Sequence, residues 1–127
     1  MTDTVTQHAL LRAVDAYFET MFDADLTRFD RLFVPTAMLH GLRDGALRVL
    51  SAADYRGLLA STPSPKAKGA PRQQEILLLD VASAEQALVK VRVRIDQVLY
   101  LDYLAFHRLD SAWRLTAKSF HIERRFA

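Results

Sequence analysis

The chain has no cysteine and only four glycines and four prolines among its 127 residues. Without cysteine, disulfides, thiolate metal sites and cysteine nucleophiles are excluded together. The glycines are scattered singly, so no glycine-rich phosphate loop can form, and no serine sits in a nucleophile elbow. Nucleotide hydrolysis and serine hydrolysis fall with those motifs. No apolar run reaches the roughly 18 residues of a membrane span, and no basic, then apolar, then small-residue leader is seen. The expectation is a cytoplasmic protein with no membrane partner. His8, His40, His107 and His121 show no ligand spacing, so neither a metal nor another cofactor is expected.

What the chain does have is apolar bulk. Half of its residues are hydrophobic and a quarter charged, which fits a single domain over residues 1–127 that buries roughly two thirds of its unfolded surface. Seventeen basic residues face fifteen acidic ones, for a net charge of +2. The basic residues are dispersed. Their one local run, Lys90, Arg92 and Arg94, alternates with Val89, Val91, Val93 and Ile95, the pattern of a strand with one wet and one buried face. No aromatics interleave with it for base stacking, so nucleic acid is not an expected partner.

Thr4 with Gln7 reads as a capping box, and Leu10, Val14, Tyr17 and Met21 then recur at helical spacing to about Phe22. Asp23-Ala24-Asp25 breaks the pattern and offers a new cap. Leu26, Phe29, Leu32 and Phe33 predict a second helix stopped before Pro35. Residues 37–42 and 46–50 alternate about Asp44-Gly45, a pair suited to a two-residue hairpin turn. Ser51 and Asp54 cap a third helix through Tyr55, Leu58 and Leu59, and the proline-bearing segment 61–73 predicts a loop, with a lid as one reading. Strands follow at 75–82, 87–96, 98–109 and 112–122, with turns too short for parallel crossovers. The segment after them, Glu123 to Ala127, reads as a solvated tail in which Phe126 is free to dock on a partner subunit.

Helices followed by a meander predict an α+β fold with N-terminal helices on the concave face of a curved antiparallel sheet. Ile76 to Leu79 and Leu99 to Phe106 are apolar at both parities, so the outer face also needs a cover. A second copy of the chain is the simplest one, and a homodimer through the outer sheet face is expected. Asp102, between Leu101 and Tyr103, is costly to bury unless paired or protonated. Lys118 is the candidate partner. A four-residue turn with a bulge at Ser111 sets the two opposite each other and is the preferred register; a two-residue turn sets Asp102 opposite Ser119. The pair reads either as a structural salt bridge or as a polar spot on a pocket wall.

Tyr17-Phe18, Asp25, Leu32 to Pro35, the 42–49 hairpin, Asp102-Tyr103-Leu104, Trp113-Arg114-Leu115 and Lys118-Ser119-Phe120 together resemble the putative lumazine-binding branch of the nuclear-transport-factor-2-like superfamily. The resemblance spans nearly the whole chain. It implies a cone-shaped, cystatin-like roll, usually dimeric, with a pocket between sheet and helices. It does not fix a chemistry, because this fold hosts isomerases, cyclases, dehydratases and binding modules. By resemblance to ketosteroid isomerase, Tyr17 matches that family's oxyanion tyrosine, while the position of its aspartate base is Gly41, beside His40. His40 is the substitute base in an enzymatic reading, since imidazole titrates near neutral pH.

Two functions follow. The first, preferred, is a small-molecule-binding or accessory domain. Its apolar pocket is lined by Tyr17, Phe18, Met21, Phe33, Met38, Tyr55 and Leu104, with His40, Asp102 and Lys118 as polar groups, and holds a flat apolar or aromatic ligand. The second is a cofactor-free isomerase, cyclase or dehydratase acting on a small carbonyl compound, in which His40 moves a proton while Tyr17 or Asp102 polarises the carbonyl.

Overall fold

The computed structural model describes residues 4–126. In chain order these form α1 (Thr4–Asp23), α2 (Leu26–Leu32), β1 (Phe33–Arg43), β2 (Ala46–Ser51), α3 (Ala52–Ser61), β3 (Gln74–Val81), β4 (Gln86–Ile95), β5 (Val98–Leu109) and β6 (Ala112–Arg125). The helices lie on one face of a six-stranded sheet of order β2-β1-β6-β5-β4-β3. The α+β class is as the sequence predicts, with one difference. Four of the neighbouring pairs are antiparallel, but β1 runs parallel to β6. No local turn joins those two strands, so the rule about short turns does not reach them.

Local chemistry explains most boundaries. Thr4, expected as a cap, is already helical, and the residues before it lie outside the described ones. Asp25 caps α2 by accepting from the Arg28 N–H at 3.1 Å, and Ser51 and Asp54 form the predicted reciprocal capping box on α3. Asp44 and Gly45 take positive φ values of 53° and 80°, closing the first hairpin with Arg43 opposite Ala46. Phe33 is a correction. It is extended, not helical, and opens β1, which carries Pro35 through an irregular stretch between Phe33 and Met38 where the ladder to β6 is interrupted.

The β5–β6 register corrects the sequence reading as well. Asp110 and Ser111 form a two-residue turn with φ of 49° and 66°, and Leu109 pairs with Ala112. The bulge falls farther along, at Thr116, between the pairs Phe106–Leu115 and Ala105–Ala117. Thr116 satisfies this break through its hydroxyl, which donates to the Ala105 carbonyl at 3.3 Å and lies 2.6 Å from Nδ1 of His107. Asp102 therefore sits opposite Phe120, with Lys118 one step away on the same face, opposite Leu104. The strand also outlasts its predicted end. Glu123 pairs with Arg92 at 2.6 Å, and Phe126 lies beneath the guanidinium of Arg94, 3.9 Å from its ring centre, so the expected tail is held by its own chain.

The core lies between the sheet's inner face and the helices. Leu10, Val14, Tyr17, Phe18 and Met21 of α1 meet Val89, Val91, Leu104, Phe106 and Leu115 of the sheet. Trp113 of β6 is buried as well. The segment between α3 and β3 is irregular as expected, but it is tied to the end of α1 by a bond from the Lys66 N–H to the Phe22 carbonyl.

Of the four glycines, Gly41 is the one with no room for a side chain. It lies beside Phe120, and a Cβ there would fall 2.3 Å from two ring carbons. Gly41→Ala is expected to destabilise the protein by about 1–3 kcal/mol in urea unfolding, and Phe120→Leu in the same chain is expected to recover part of that loss. An unchanged midpoint in Gly41→Ala would contradict the close approach.

Candidate functional site

Two rows of the inner sheet face build the site. One runs Ile76, Val91, Asp102, Phe120, Gly41, Arg48 across all six strands, and the next runs Leu79, Val89, Leu104, Lys118, Leu39, Leu50. Asp102 and Lys118 are diagonal neighbours in these rows. Their side chains are buried, and Nζ lies 3.7 Å from Oδ2.

Helices supply the remaining partners. Tyr17, on the buried stripe of α1, donates its hydroxyl proton to Asp102 Oδ2 at 2.5 Å. Tyr55 of α3 is braced by Phe29 and Phe33, with ring centres 6.0 Å away in each case. Its hydroxyl accepts from Lys118 Nζ at 3.3 Å and donates to the Met21 sulfur at 3.0 Å. The ammonium also lies over both tyrosine rings, 5.1 Å from the centre of Tyr17 and 4.8 Å from that of Tyr55, an arrangement that favours the charged amine. One acceptor is left over: Asp102 Oδ1 is buried without a hydrogen-bond partner among the described residues.

Burial dominates the electrostatics. It pushes the Asp102 carboxyl above its ordinary value, and the Lys118 charge and the Tyr17 hydrogen bond pull it back without cancelling the rise. The Tyr17 hydroxyl is pushed well up, first by burial and then by the neighbouring Asp102 charge. For Lys118, burial opposes the charged form, but Tyr55 and Asp102 outweigh it and hold the ammonium above the usual lysine range. Lys118 is thus a cation rather than a free amine. Asp102 is a carboxylate inclined toward protonation.

A cavity of about 530 Å³ opens beside this cluster, between the β1–β2 hairpin, α3 and the sheet. Its walls are mainly apolar, with Leu39, Leu50, Leu58, Leu59, Ile95 and Phe120, and its polar groups are Lys118, Tyr55, Tyr100, Thr62, Arg43 and Arg48. Tyr100 stacks edge-on with Phe120 at 6.1 Å and accepts a hydrogen bond from Arg43. Of the segment between α3 and β3, Thr62 is the residue that reaches the wall.

Of the residues proposed from sequence, Tyr55 and Lys118 line this cavity. Tyr17 and Asp102 stand behind Lys118, while Phe18, Met21, Phe33 and Leu104 are buried core. Met38 and His40 are on the opposite, exposed face of β1, where His40 pairs with Val49 on one side and Ser119 on the other. The structure does not bring His40 to the cluster. At the position matched to the isomerase's aspartate, Gly41, the space is filled by the Phe120 ring. Arg43, Arg48, Tyr100 and Phe120 were missed. Their signal was the parity of β1, where Leu39, Gly41 and Arg43 share the inner face; Met38 and His40 made the other parity look equally suited to a wall.

Chemically, the inner end offers hydrogen-bond donors and positive charge. No carboxylate and no imidazole is among the described residues that line the cavity. Such a wall can hold and polarise a ligand oxygen, but it has no group placed to remove a carbon-bound proton.

The family model described as "Putative lumazine-binding" matches residues 5–121. The chain belongs to that family. Members of the nuclear-transport-factor-2-like fold match it in structure. An NTF2-like protein of unknown function from Silicibacter pomeroyi superposes with a TM-score of 0.82 at 20% identity, covering 97% of this chain and 100% of that one. One from Shewanella baltica gives 0.81 at 19%, covering 98% and 99%. A ketosteroid isomerase-like protein from Erwinia carotovora atroseptica gives 0.71 at 14%, covering 92% and 95%. At these identities the likeness establishes the fold. A search of the curated proteins returns no match.

The buried pair of this lumazine-binding family member has a defined pH signature. The folded state holds the Asp102 proton more tightly than the unfolded chain does, so its contribution to stability falls as pH rises from the unfolded value through the folded one. Lys118→Met, which strands the carboxylate and removes the charge that holds its pKa down, is expected to cost about 3–5 kcal/mol at pH 8 and less at pH 5, because lower pH moves the stranded group toward its neutral form. Asp102→Asn is expected to flatten that pH dependence. Urea unfolding at the two pH values checks both. An equal loss from Lys118→Met at pH 5 and pH 8 would contradict the burial of an ionised Asp102.

Proposed function

We propose that this chain is a single small-molecule-binding or accessory domain whose ligand sits in the cavity beside Lys118. The observation that carries the reading is a buried ammonium and a tyrosine hydroxyl at the inner end of a mainly apolar cavity of about 530 Å³. That size and that mixture of apolar wall with a few placed polar groups are those of small-molecule sites. The family description, putative lumazine-binding, supports a flat heteroaromatic ligand.

The enzymatic alternative, a cofactor-free isomerase, cyclase or dehydratase, draws on one specific observation. Tyr17 and Asp102 share a 2.5 Å hydrogen bond next to a lysine, and burial raises the Asp102 carboxyl toward the acid form, which is the form that donates to a developing oxyanion. Against it stand the position of both groups behind Lys118 and a wall without a base. Binding is therefore the better-supported reading.

Thermal shift against flavins, lumazines, steroids, aromatic polyketide mimics and keto acids tests the proposal. A ligand at a hundredfold over its dissociation constant is expected to add about 2.7 kcal/mol, or roughly 10 °C, and Tyr55→Phe is expected to weaken it. Recovery of the ligand unchanged supports binding; a converted ligand would favour the enzyme. No shift from any class would overturn the small-molecule reading.

We also propose a homodimer through the sheet's outer face, away from the helices. In the single chain that face exposes Met38, Leu42, Leu47, Val49, Leu78, Leu88 and Tyr103 across five strands, an apolar surface that a second copy would cover. Light scattering at micromolar concentration is expected to give twice the chain mass, reduced to one chain mass by Leu42→Lys with Tyr103→Lys. A monomeric wild type would rule the dimer out.

A further inference from the structure

The charges around the cavity are unbalanced. Three cations reach its wall, Arg43, Arg48 and Lys118, and no acidic side chain among the described residues does. Lys118 is already answered by Asp102 at 3.7 Å. The other two are not. Arg43 donates to the neutral hydroxyl of Tyr100, and Arg48 has no hydrogen-bond or ion-pair partner among the described residues. Five other arginines do meet carboxylates, Arg28 at Asp23, Arg56 at Asp30, Arg72 at Glu19, Arg92 at Glu75 and Glu123, and Arg125 at Asp44, while Arg94 and Arg114 turn to backbone carbonyls; Arg43 and Arg48 are set apart by sharing the wall of a cavity.

The hairpin holds these two arginines together at the cavity. Arg43 pairs with Ala46 and Arg48 with Gly41, so they are diagonal neighbours on the inner face, each facing a small residue across the ladder. Ala46 leaves room beside Arg43, whereas the space over Gly41 is taken by the Phe120 ring, which shares the cavity wall with Arg48. Diagonal positions on adjacent strands are close enough for long side chains to share one target.

We propose that the cavity takes organic anions, with a flat apolar body against Phe120, Leu58 and Leu59 and the acid group held by Arg43 and Arg48. The planar guanidinium fork matches a carboxylate or sulfonate in geometry as well as charge. A neutral ligand leaves both cations unanswered, and a cationic one is repelled. This inference rests on the reading that the cavity holds a small molecule, and it names the ligand's charge class.

Two dyes with the same aromatic rings, anilinonaphthalenesulfonate and the neutral phenylnaphthylamine, separate the two ideas by fluorescence titration of the full chain. The anion is expected to bind about tenfold more tightly, the equivalent of one charge-assisted hydrogen bond. Arg48→Met, at an exposed strand position, and Arg43→Met are each expected to remove most of that preference while leaving the neutral dye's affinity within about twofold. Equal binding of the two dyes overturns the anion proposal and leaves the small-molecule reading standing. A preference for the anion that survives both substitutions overturns the placement at the two arginines. No binding of either dye overturns both ideas.

Discussion

A carboxylate and an ammonium are buried together in the middle of this sheet, and much of the architecture follows from keeping them satisfied. Separated in a low-dielectric interior, each would cost several kcal/mol. Together they still need Tyr17 from α1, Tyr55 from α3 and two aromatic faces around the ammonium. The requirement ties helix placement to strand register. A one-residue slip of β6 against β5 would turn Lys118 to the outer face and leave Asp102 without its counter-charge, so the bulge at Thr116 is tied to the electrostatics of the core.

Legibility in the sequence tracked how local each determinant is. The Asp44-Gly45 turn, the Asp25 cap and the Ser51–Asp54 box are written in adjacent residues and were readable, whereas the two-residue form of the turn at Asp110-Ser111 was not the one preferred. Asp102 was visible as an anomaly because a lone carboxylate in an apolar strand demands a partner, and Lys118 was the one cation placed to answer. The parallel pairing of β1 with β6 joins segments about eighty residues apart, and no local pattern announces it. The bulge at Thr116 was invisible for a related reason. A hydroxyl that bonds back to Ala105 looks like any other strand threonine until its partner strand is present.

The cavity was misplaced for a physical reason too. Sequence reasoning put it in the middle of the helix–sheet layer, where Tyr17, Phe18, Phe33 and Leu104 suggested a lining. Those residues pack against one another and fill that space. The open volume lies toward the β1–β2 hairpin, where the short α3 is left to roof the sheet and Gly41 lets the Phe120 ring lie flat. Tyr17 and Asp102 are thus internal supports, and the cations Arg43, Arg48 and Lys118 are what reach the open cavity.

The parallel β1–β6 pairing also dictates an order of assembly. The chain makes the β1–β2 hairpin early and β6 after every other strand of the sheet, yet β6 is what joins that hairpin to the β3–β5 meander. Until it arrives, the sheet exists as two halves, each with an unpaired edge on the side where β6 will lie. Long-range closure of this kind slows folding and leaves the open edges exposed to wrong partners during synthesis. The half-made protein, rather than the finished one, is where this topology leaves strand edges open to mispairing.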